Sequence, residues 1–538
     1  MFHRFFTYSV IGPCLAVCAF VCQAAPESIL THIPDDVEIY ASHSIDENNQ
    51  LLVHIDPLTQ ALVVSAVTSL NSRFDIREQY RSPPPDADVE TLCVFQDTQG
   101  IGAFVFDARG MASQQYLYLQ SNAQWRQVAI RDFSMGGEPE YCMVDNASGQ
   151  IYIAEEGIGV WQMSVAPESE LTRYLSPLEL DEDTVSIALI SAEKGELSDE
   201  MGRVHSFNVK PPDYQRGDLP MLIADGQTDP VQRFGDAADD PAIWVNNETP
   251  GRSLIIGTDK KAGLDVFDLN GKRLQHLPIG KVNNVDVRQS VQFGENRMDL
   301  AVASNRSGNL LSVFAINGNN RRITHIGDVS TPLNDIYGLC LYQPEQGLEV
   351  LVNDTGGTYL RYALTVAGDT VSASLMEQFN VPSQPEGCVA DDKHQQLFYG
   401  EEASGIWLRS LAGVQQTSTR IAGLSDSVHA DIEGMDIYHV DGKRYLVASS
   451  QGNDSYAVYA IDNDFDWLGS FRITADIENG IDGASETDGL AISSVNLGSR
   501  YPQGLLVVQD GRNVMPSDKQ NFKLVSGSKL AEFIRKHR

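Results

Sequence analysis

Positive charge is what this sequence has least of: 39 Lys and Arg stand against 73 Asp and Glu, a formal net charge of −34. That balance excludes nucleic acid as a partner, because phosphate backbones need a basic footprint. It also argues against docking on anionic membrane. An anionic ligand would need a cation as mediator. Cysteine is scarce too, seven in 538 residues with no CxxC pair, so zinc-ribbon and thioredoxin-type sites are not expected. Long apolar runs are missing apart from one between Ser9 and Val21, which is short for a membrane span. Helical periodicity is missing as well until SKLAEFIRKH at residues 528–537.

What remains is informative. His3 and Arg4 precede the apolar run, and Ala24, Ala25 and Pro26 follow it. Residues 1–25 therefore read as a signal peptide cleaved near Ala24 or Ala25, with a mature protein that is secreted or periplasmic. Cys14, Cys18 and Cys22 would leave with it, and Cys93, Cys142, Cys340 and Cys388 would enter an oxidising compartment.

The chain also repeats itself. PEYCMVDNASGQIYIAEEGIGVWQM, from Pro139, matches PEGCVADDKHQQLFYGEEASGIWLRS, from Pro385. Glu140, Cys142, Glu155, Glu156 and Trp161 correspond to Glu386, Cys388, Glu401, Glu402 and Trp407. TLCVF around Cys93 resembles GLCLY around Cys340. Two related domains in tandem are expected, residues 26–209 and 210–538, joined near KPPDYQRGDLP. Within each, short strands such as LIIGTD, LLSVFAI and RYLVASS alternate with Gly, Asn and Asp turns. Even spacing of short strands predicts an all-β fold and radial repetition, a β-propeller rather than a sandwich. The second copy has room for about five or six four-stranded blades, and the first is too short and reads as an incomplete propeller. Cys93 with Cys142 and Cys340 with Cys388 occupy equivalent places, either as one disulfide per domain or as four small buried hydrophobes.

Acids gather at strand boundaries of the second copy. GDAADDPAIWVN carries Asp236, Asp239 and Asp240, and NNVDVR carries Asp286. PEGCVADD carries Glu386, Asp391 and Asp392, GEEASG carries Glu401 and Glu402, HADIEG carries Asp431 and Glu433, and ENGIDGASETDG carries Asp482 and Asp488. Any one of them reads equally well as a turn aspartate. Together, on a fold that brings its loops to one face, they read as oxygen ligands without His or Cys, which select calcium. Lys260 and Lys261 in TDKKAG, Arg306 in SNRSG and Tyr337 in DIYG lie among them. These are the groups a phosphate pocket needs, although solvated charges pairing with nearby acids would leave the same pattern.

In order, the phrases DAADDPAIW, KKAGL, NNVDVR, SNRS, YG, EGCVADD, EE, DIEG, SSQGN, TDG and QDG with NFK resemble the β-propeller phytases, the alkaline, calcium-dependent phytases. The resemblance runs from Asp229 to about Val525 and implies a six-bladed propeller with Ca2+ as cofactor. It implies calcium ligands at Asp239, Asp240, Asp286, Glu386, Glu402, Asp431, Glu433, Asp482 and Asp488. Substrate and catalytic contacts would come from Lys260, Lys261, Arg306 and Tyr337, with Glu386, Glu402 and Asp488. The implied activity is that of a phosphoric monoester hydrolase, a 3-phytase acting on the calcium complex of myo-inositol hexakisphosphate. A calcium-activated water would attack phosphorus in line, with no covalent intermediate; no RHGxRxP signature of histidine phosphatases is present among eleven histidines. A monomer is expected, with no nucleic-acid or membrane partner. Two departures stand out: Thr355 where the family has a lysine, for which Arg361 is a candidate substitute, and Gln227 where it has an acid. They favour the alternative of a catalytically weak, calcium-stabilised propeller that binds or scaffolds. A propeller lactonase would not call for so basic a pocket. The first copy keeps Glu140, Glu155 and Glu156, has Glu90 where the second has Tyr337, and lacks the other phrases, so an accessory role is expected of it.

Overall fold

The computed structural model describes residues 37–538 apart from 46–48, 71–72, 120–123, 181, 212–218, 369 and 415. The proposed signal peptide lies outside the described residues. From Met221 onward the chain forms six sheets built on four antiparallel strands each, one of which carries Met221–Ile223 as a fifth strand, parallel to Arg472–Thr474. Their first strands are Ala238–Trp244, Val282–Phe293, Ile336–Tyr342, Pro385–Asp391, Ile432–Val440 and Leu490–Ser493. These inner strands lie side by side in chain order, and the sixth lies beside the first. The sixth sheet takes its outer strand from far back in the chain, where Gly226 and Gln227 pair with Leu524 and Lys523. This second copy is a six-bladed β-propeller.

Blade packing explains the sequence texture. The second strand of each blade is sandwiched between neighbours, so Leu254–Asp259, Leu348–Asp354 and Leu505–Asp510 are buried along their whole length. The apolar core is correspondingly divided, with one cluster between each pair of blades. Leu300, Val302 and Val313 meet Leu339, Val350 and Leu360 between the second and third, for instance. The helix expected at the C-terminus is Gly527–His537, capped by the Ser526 side chain. Its Leu530, Ala531, Phe533 and Ile534 pack on Tyr438, Phe471 and Leu506.

The first copy is the incomplete propeller expected: three four-stranded sheets and one three-stranded sheet, Thr184–Ser191, Lys194–Asp199 and Val204–Asn208. Both cysteine pairs are disulfides, Cys93–Cys142 with Cα atoms 5.9 Å apart and Cys340–Cys388 with Cα atoms 5.7 Å apart. Each staples the inner strands of adjacent blades. Closing a loop of that length removes about 4 kcal/mol of unfolded-chain entropy on the polymer model.

Candidate active site

All six inner strands of the propeller start at one face, and all six second strands end there. Each blade therefore offers two positions to the mouth of the channel. The register of five inner strands breaks at the same point, Ala238/Pro241, Val282/Val285, Ile336/Leu339, Pro385/Cys388 and Ile432/Met435. The residues inside these bulges are Asp239–Asp240, Asn283–Asn284, Tyr337–Gly338, Glu386–Gly387 and Glu433–Gly434. A bulge re-aims side chains out of the ladder, here into the mouth. The backbones nearly touch: a Cβ on Gly387 would lie 2.1 Å from the Glu433 carbonyl oxygen, and one on Gly489 2.5 Å from the Asp240 Cα. Only glycine permits that approach. The second position of each blade falls just past the second strand, at Lys260, Arg306, Thr355, Glu402, Gln451 and Gly511, with Lys261 following the first of them.

At the centre, carboxylate oxygens of Glu386, Glu402 and Glu433 lie within 4.8 Å of one another. Asn283 Nδ2 donates to Glu386 Oε1 at 2.6 Å, and Gln384 Nε2 to Glu402 Oε1 at 2.7 Å. Glu433 is buried, and its Oε2 has no hydrogen-bond partner among the described residues. Burial, then the Glu386 charge, drives the Glu433 carboxyl well above the usual range. Burial pushes Glu402 up to about 7 and raises Asp431, which also feels Glu386. Negative charge held this closely out of water is unstable alone.

One wall is cationic. The Lys260 ammonium sits 2.8 Å from Asp236, 3.4 Å from Asp239 and 3.2 Å from Asp488. Burial opposes its charge, yet these three acids raise its pKa and keep it protonated. Asp239 is buried and its Oδ2 lacks a hydrogen bond. Burial likewise raises Asp488, against the pull of Lys260, and Gln451 donates to it. Lys261 Nζ donates to the Phe234 carbonyl at 2.9 Å, nearer the rim. From the neighbouring second blade, Arg306 Nη2 donates to both Asp335 oxygens at 3.0 Å and Nη1 to Asn283 Oδ1 at 3.3 Å. Its guanidinium lies 5.3 Å from the Tyr337 ring centre. Burial and the charge of Glu386 drive the Tyr337 hydroxyl far above its ordinary range, so it stays a phenol and a donor.

Lys260, Lys261, Arg306, Tyr337, Asp239, Glu386, Glu402, Asp431, Glu433 and Asp488 thus gather at one mouth. Three other expected ligands lie elsewhere. Asp240 turns into the channel, where Oδ2 accepts from Val285 N at 3.0 Å. Asp286 lies deeper. Arg288 donates to both of its oxygens, at 3.0 and 2.9 Å, and Leu341 N adds a bond at 2.8 Å. Asp482 is fully buried against Lys523, whose ammonium also reaches Asp510 at 3.0 Å. Each of those two acids is ion-paired, Asp286 to Arg288 and Asp482 to Lys523. Gln227 belongs to the Lys523 cluster, its Oε1 accepting at 2.9 Å. Thr355 Oγ1 lies 3.5 Å from Asp335, beside Arg306. Arg361 cannot replace the missing lysine, because it is buried and bound to Glu349 and to the Leu411 and Gly413 carbonyls. Asn283, Gln384, Gln451 and Asp335 also reach the site, and their only signal in the sequence is their place at strand boundaries, not their chemistry.

Below the mouth, channel aspartates brace neighbouring blades. Asp436 is one of them, Oδ2 accepting from Ile492 N at 2.6 Å, and burial pushes its carboxyl up to about 7. A raised carboxyl destabilises the fold increasingly as pH climbs from its ordinary 3.8 to about 7, and fully above that. Asp436→Asn keeps an acceptor without the charge. It is expected to gain stability over the parent at pH 8, by up to about 4 kcal/mol, and only about 1 kcal/mol at pH 4.5. Thermal unfolding across that range measures it, and a constant difference would contradict the buried-charge account.

The channel mouth of this propeller pairs a carboxylate cluster with lysine and arginine, the side chains a phosphatase-type hydrolase uses to hold phosphate. Residues 214–537 match the family model described as Phytase, and the chain belongs to the phytase family. A 3-phytase of Bacillus subtilis (strain 168) is 39% identical over 327 residues, 58% of this chain and 85% of that protein. Among solved structures, Saccharomyces cerevisiae Sqt1 aligns at 11% identity with a TM-score of 0.29, over 78% of this chain and 97% of that one.

Proposed function

We propose that the protein is an exported, calcium-dependent phytase of the 3-phytase type, which removes phosphate from myo-inositol hexakisphosphate as its calcium complex. The observation that carries the reading is the mouth itself: three clustered glutamates facing Lys260 and Arg306. The donor set fits calcium, being all oxygen, with the buried oxygens of Asp239 and Glu433 left without hydrogen bonds. Asp239, Glu386, Glu402, Asp431, Glu433 and Asp488 would hold it. When bound, calcium would offset the carboxylate and phosphate charge and lower the pKa of attacking water.

The remaining work falls to the side chains. Arg306, aligned by Asp335 and Asn283, presents a fork to phosphoryl oxygens. Lys260 and Lys261 add charge from the adjacent first blade, so a transferring phosphoryl group would meet preorganised cations from two neighbouring blades. The Tyr337 hydroxyl donates and does not ionise. Asn283, Gln384 and Gln451 fix the orientation of Glu386, Glu402 and Asp488.

The test is phosphate release from phytate by the purified full-length chain, with calcium and with excess EDTA. Turnover is expected only with calcium, and Arg306→Ala should cut it roughly 100-fold, the usual cost of one preorganised donor. Calcium binding without turnover would replace this reading by the scaffold alternative, for which Thr355 and Gln227 speak. Undiminished turnover in EDTA would overturn the calcium assignment.

A further inference from the structure

The first copy of the repeat packs against the face of the propeller that bears the site. Ala475, Ile477, Val514 and Met515 of the propeller are buried in one apolar cluster with Phe95, Tyr116, Ile130 and Phe133 of the first copy. Polar contacts flank that cluster. Arg126 Nη2 donates to the carbonyls of Ile477 at 2.9 Å and Glu478 at 2.8 Å. Met515 N donates to the Ile130 carbonyl at 2.9 Å, and Arg512 Nε to the Glu168 carbonyl at 2.9 Å.

Residues 475–489 are the longest connection between blades; the others span 228–237, 278–281, 331–335, 381–384 and 424–431. This loop holds Asp488 at its far end. Its one strand-like contact is the Asp476–Ile481 bridge, so much of the entropy lost in ordering it must be offset by packing. That packing comes at its near end from the first copy, through Ala475, Ile477 and Arg126. From there the restraint continues inward. Asp482 accepts from Val514 N at 2.8 Å, Ser485 N donates to Asp510 at 3.0 Å, and Arg512 pairs with Glu486. Asp488 N then donates to Gln509 Oε1 at 3.0 Å, and the Asp488 carboxylate meets Lys260.

We propose that Arg126 and the apolar edge around it are positioning elements: the first copy serves the hydrolytic site by holding the 475–489 loop so that Asp488 and Lys260 stay in register. The site is then completed by a domain that touches no substrate. This inference rests on the phosphatase reading of the mouth, and deepens it by assigning the first copy a mechanical task.

The test uses the full-length chain with Arg126→Ala, Arg126→Lys and, from the propeller side, Ile477→Ser. Amide exchange across 475–489 is expected to quicken roughly tenfold in Arg126→Ala and Ile477→Ser, with the strands at 282–305 unchanged. The kcat for phytate should fall about three- to tenfold with KM nearly constant, and Arg126→Lys should recover part of both. Faster exchange with unaltered kcat would reduce the contact to mere docking and overturn the proposal. Unaltered exchange would do the same. If the parent protein released no phosphate at all, the phytase reading would fail, and exchange at 487–489 alone would decide whether the loop depends on the first copy.

Discussion

Glu386→Gln is expected to abolish most phosphate release while leaving the propeller folded. Glu386 is the hub of the mouth. It lies within reach of Glu402 and Glu433, takes a bond from Asn283, and its charge reaches Tyr337, Asp431 and Asp488. Glutamine keeps the shape and an acceptor for Asn283, but removes one negative charge and the second ligand oxygen. A lost preorganised contact of this kind costs roughly 100- to 1,000-fold in turnover, about 3–4 kcal/mol of barrier. Stability should move the other way. Glu386 raises the pKa of Glu402, Asp431 and Glu433, so its charge makes the calcium-free cluster more repulsive. The calcium-free variant should therefore melt no lower than the calcium-free parent. Phosphate release at saturating calcium, beside melting curves in EDTA, reads both effects. A variant that turns over normally would remove Glu386 from the chemistry, and one that fails to fold with calcium would make it a structural brace.

Most of the fold was legible because a propeller writes itself in the sequence many times. LIIGTD, LEVLVND and LLVVQD are each a second strand with the mouth at its last residue. The residue following them is a site position, as in Lys260, Thr355 and Gly511, so reading acids and bases at strand boundaries found the mouth. The same rule could not say which way a side chain turns. Asp239 and Asp240 are adjacent in DAADDPAIW, yet one faces Lys260 and the other bonds Val285 N. That divergence is made by a bulge, a feature of register that depends on the partner strand. Asp286 and Asp482 lie away from the mouth for a second reason. Their counter-charges, Arg288 and Lys523, are set by three-dimensional packing, and only Arg288 is a neighbour in sequence. Glu401 and Glu402 carry the same lesson. Glu401 accepts from Ser383 at 3.1 Å and braces the blade, as Glu155 does from Gly137 in the first copy, while Glu402 faces the mouth. The contact between the copies had no sequence signature, since Arg126 meets carbonyl oxygens, which every residue offers.

Removal of calcium is expected to destabilise the protein as well as silence it. The mouth concentrates Asp239, Glu386, Glu402, Asp431, Glu433 and Asp488, and among the described residues its cations are Lys260, Lys261 and Arg306. Arg306 is already paired with Asp335, and Lys260 is shared among three acids. The excess negative charge can be relieved in two ways, by protons or by a divalent cation. Burial raises Glu402, Asp431 and Glu433 above the ordinary carboxylate range, so the calcium-free cluster takes up protons more readily than the unfolded chain does. Its unfavourable charge is felt increasingly as pH rises toward 7 and relieved as pH falls. Calcium must displace those protons, so its affinity should weaken in acid. With calcium at 100 to 1,000 times its Kd, linkage gives about 3–4 kcal/mol of added stability, a melting shift of roughly 5 °C for a propeller of this size. The shift should be largest near pH 8 and small near pH 5. Calorimetry with calcium and with EDTA at both pH values measures it. Equal melting temperatures at pH 8 would mean that no cation belongs among these carboxylates, and a larger shift at pH 5 would reverse the sign of the proposed competition.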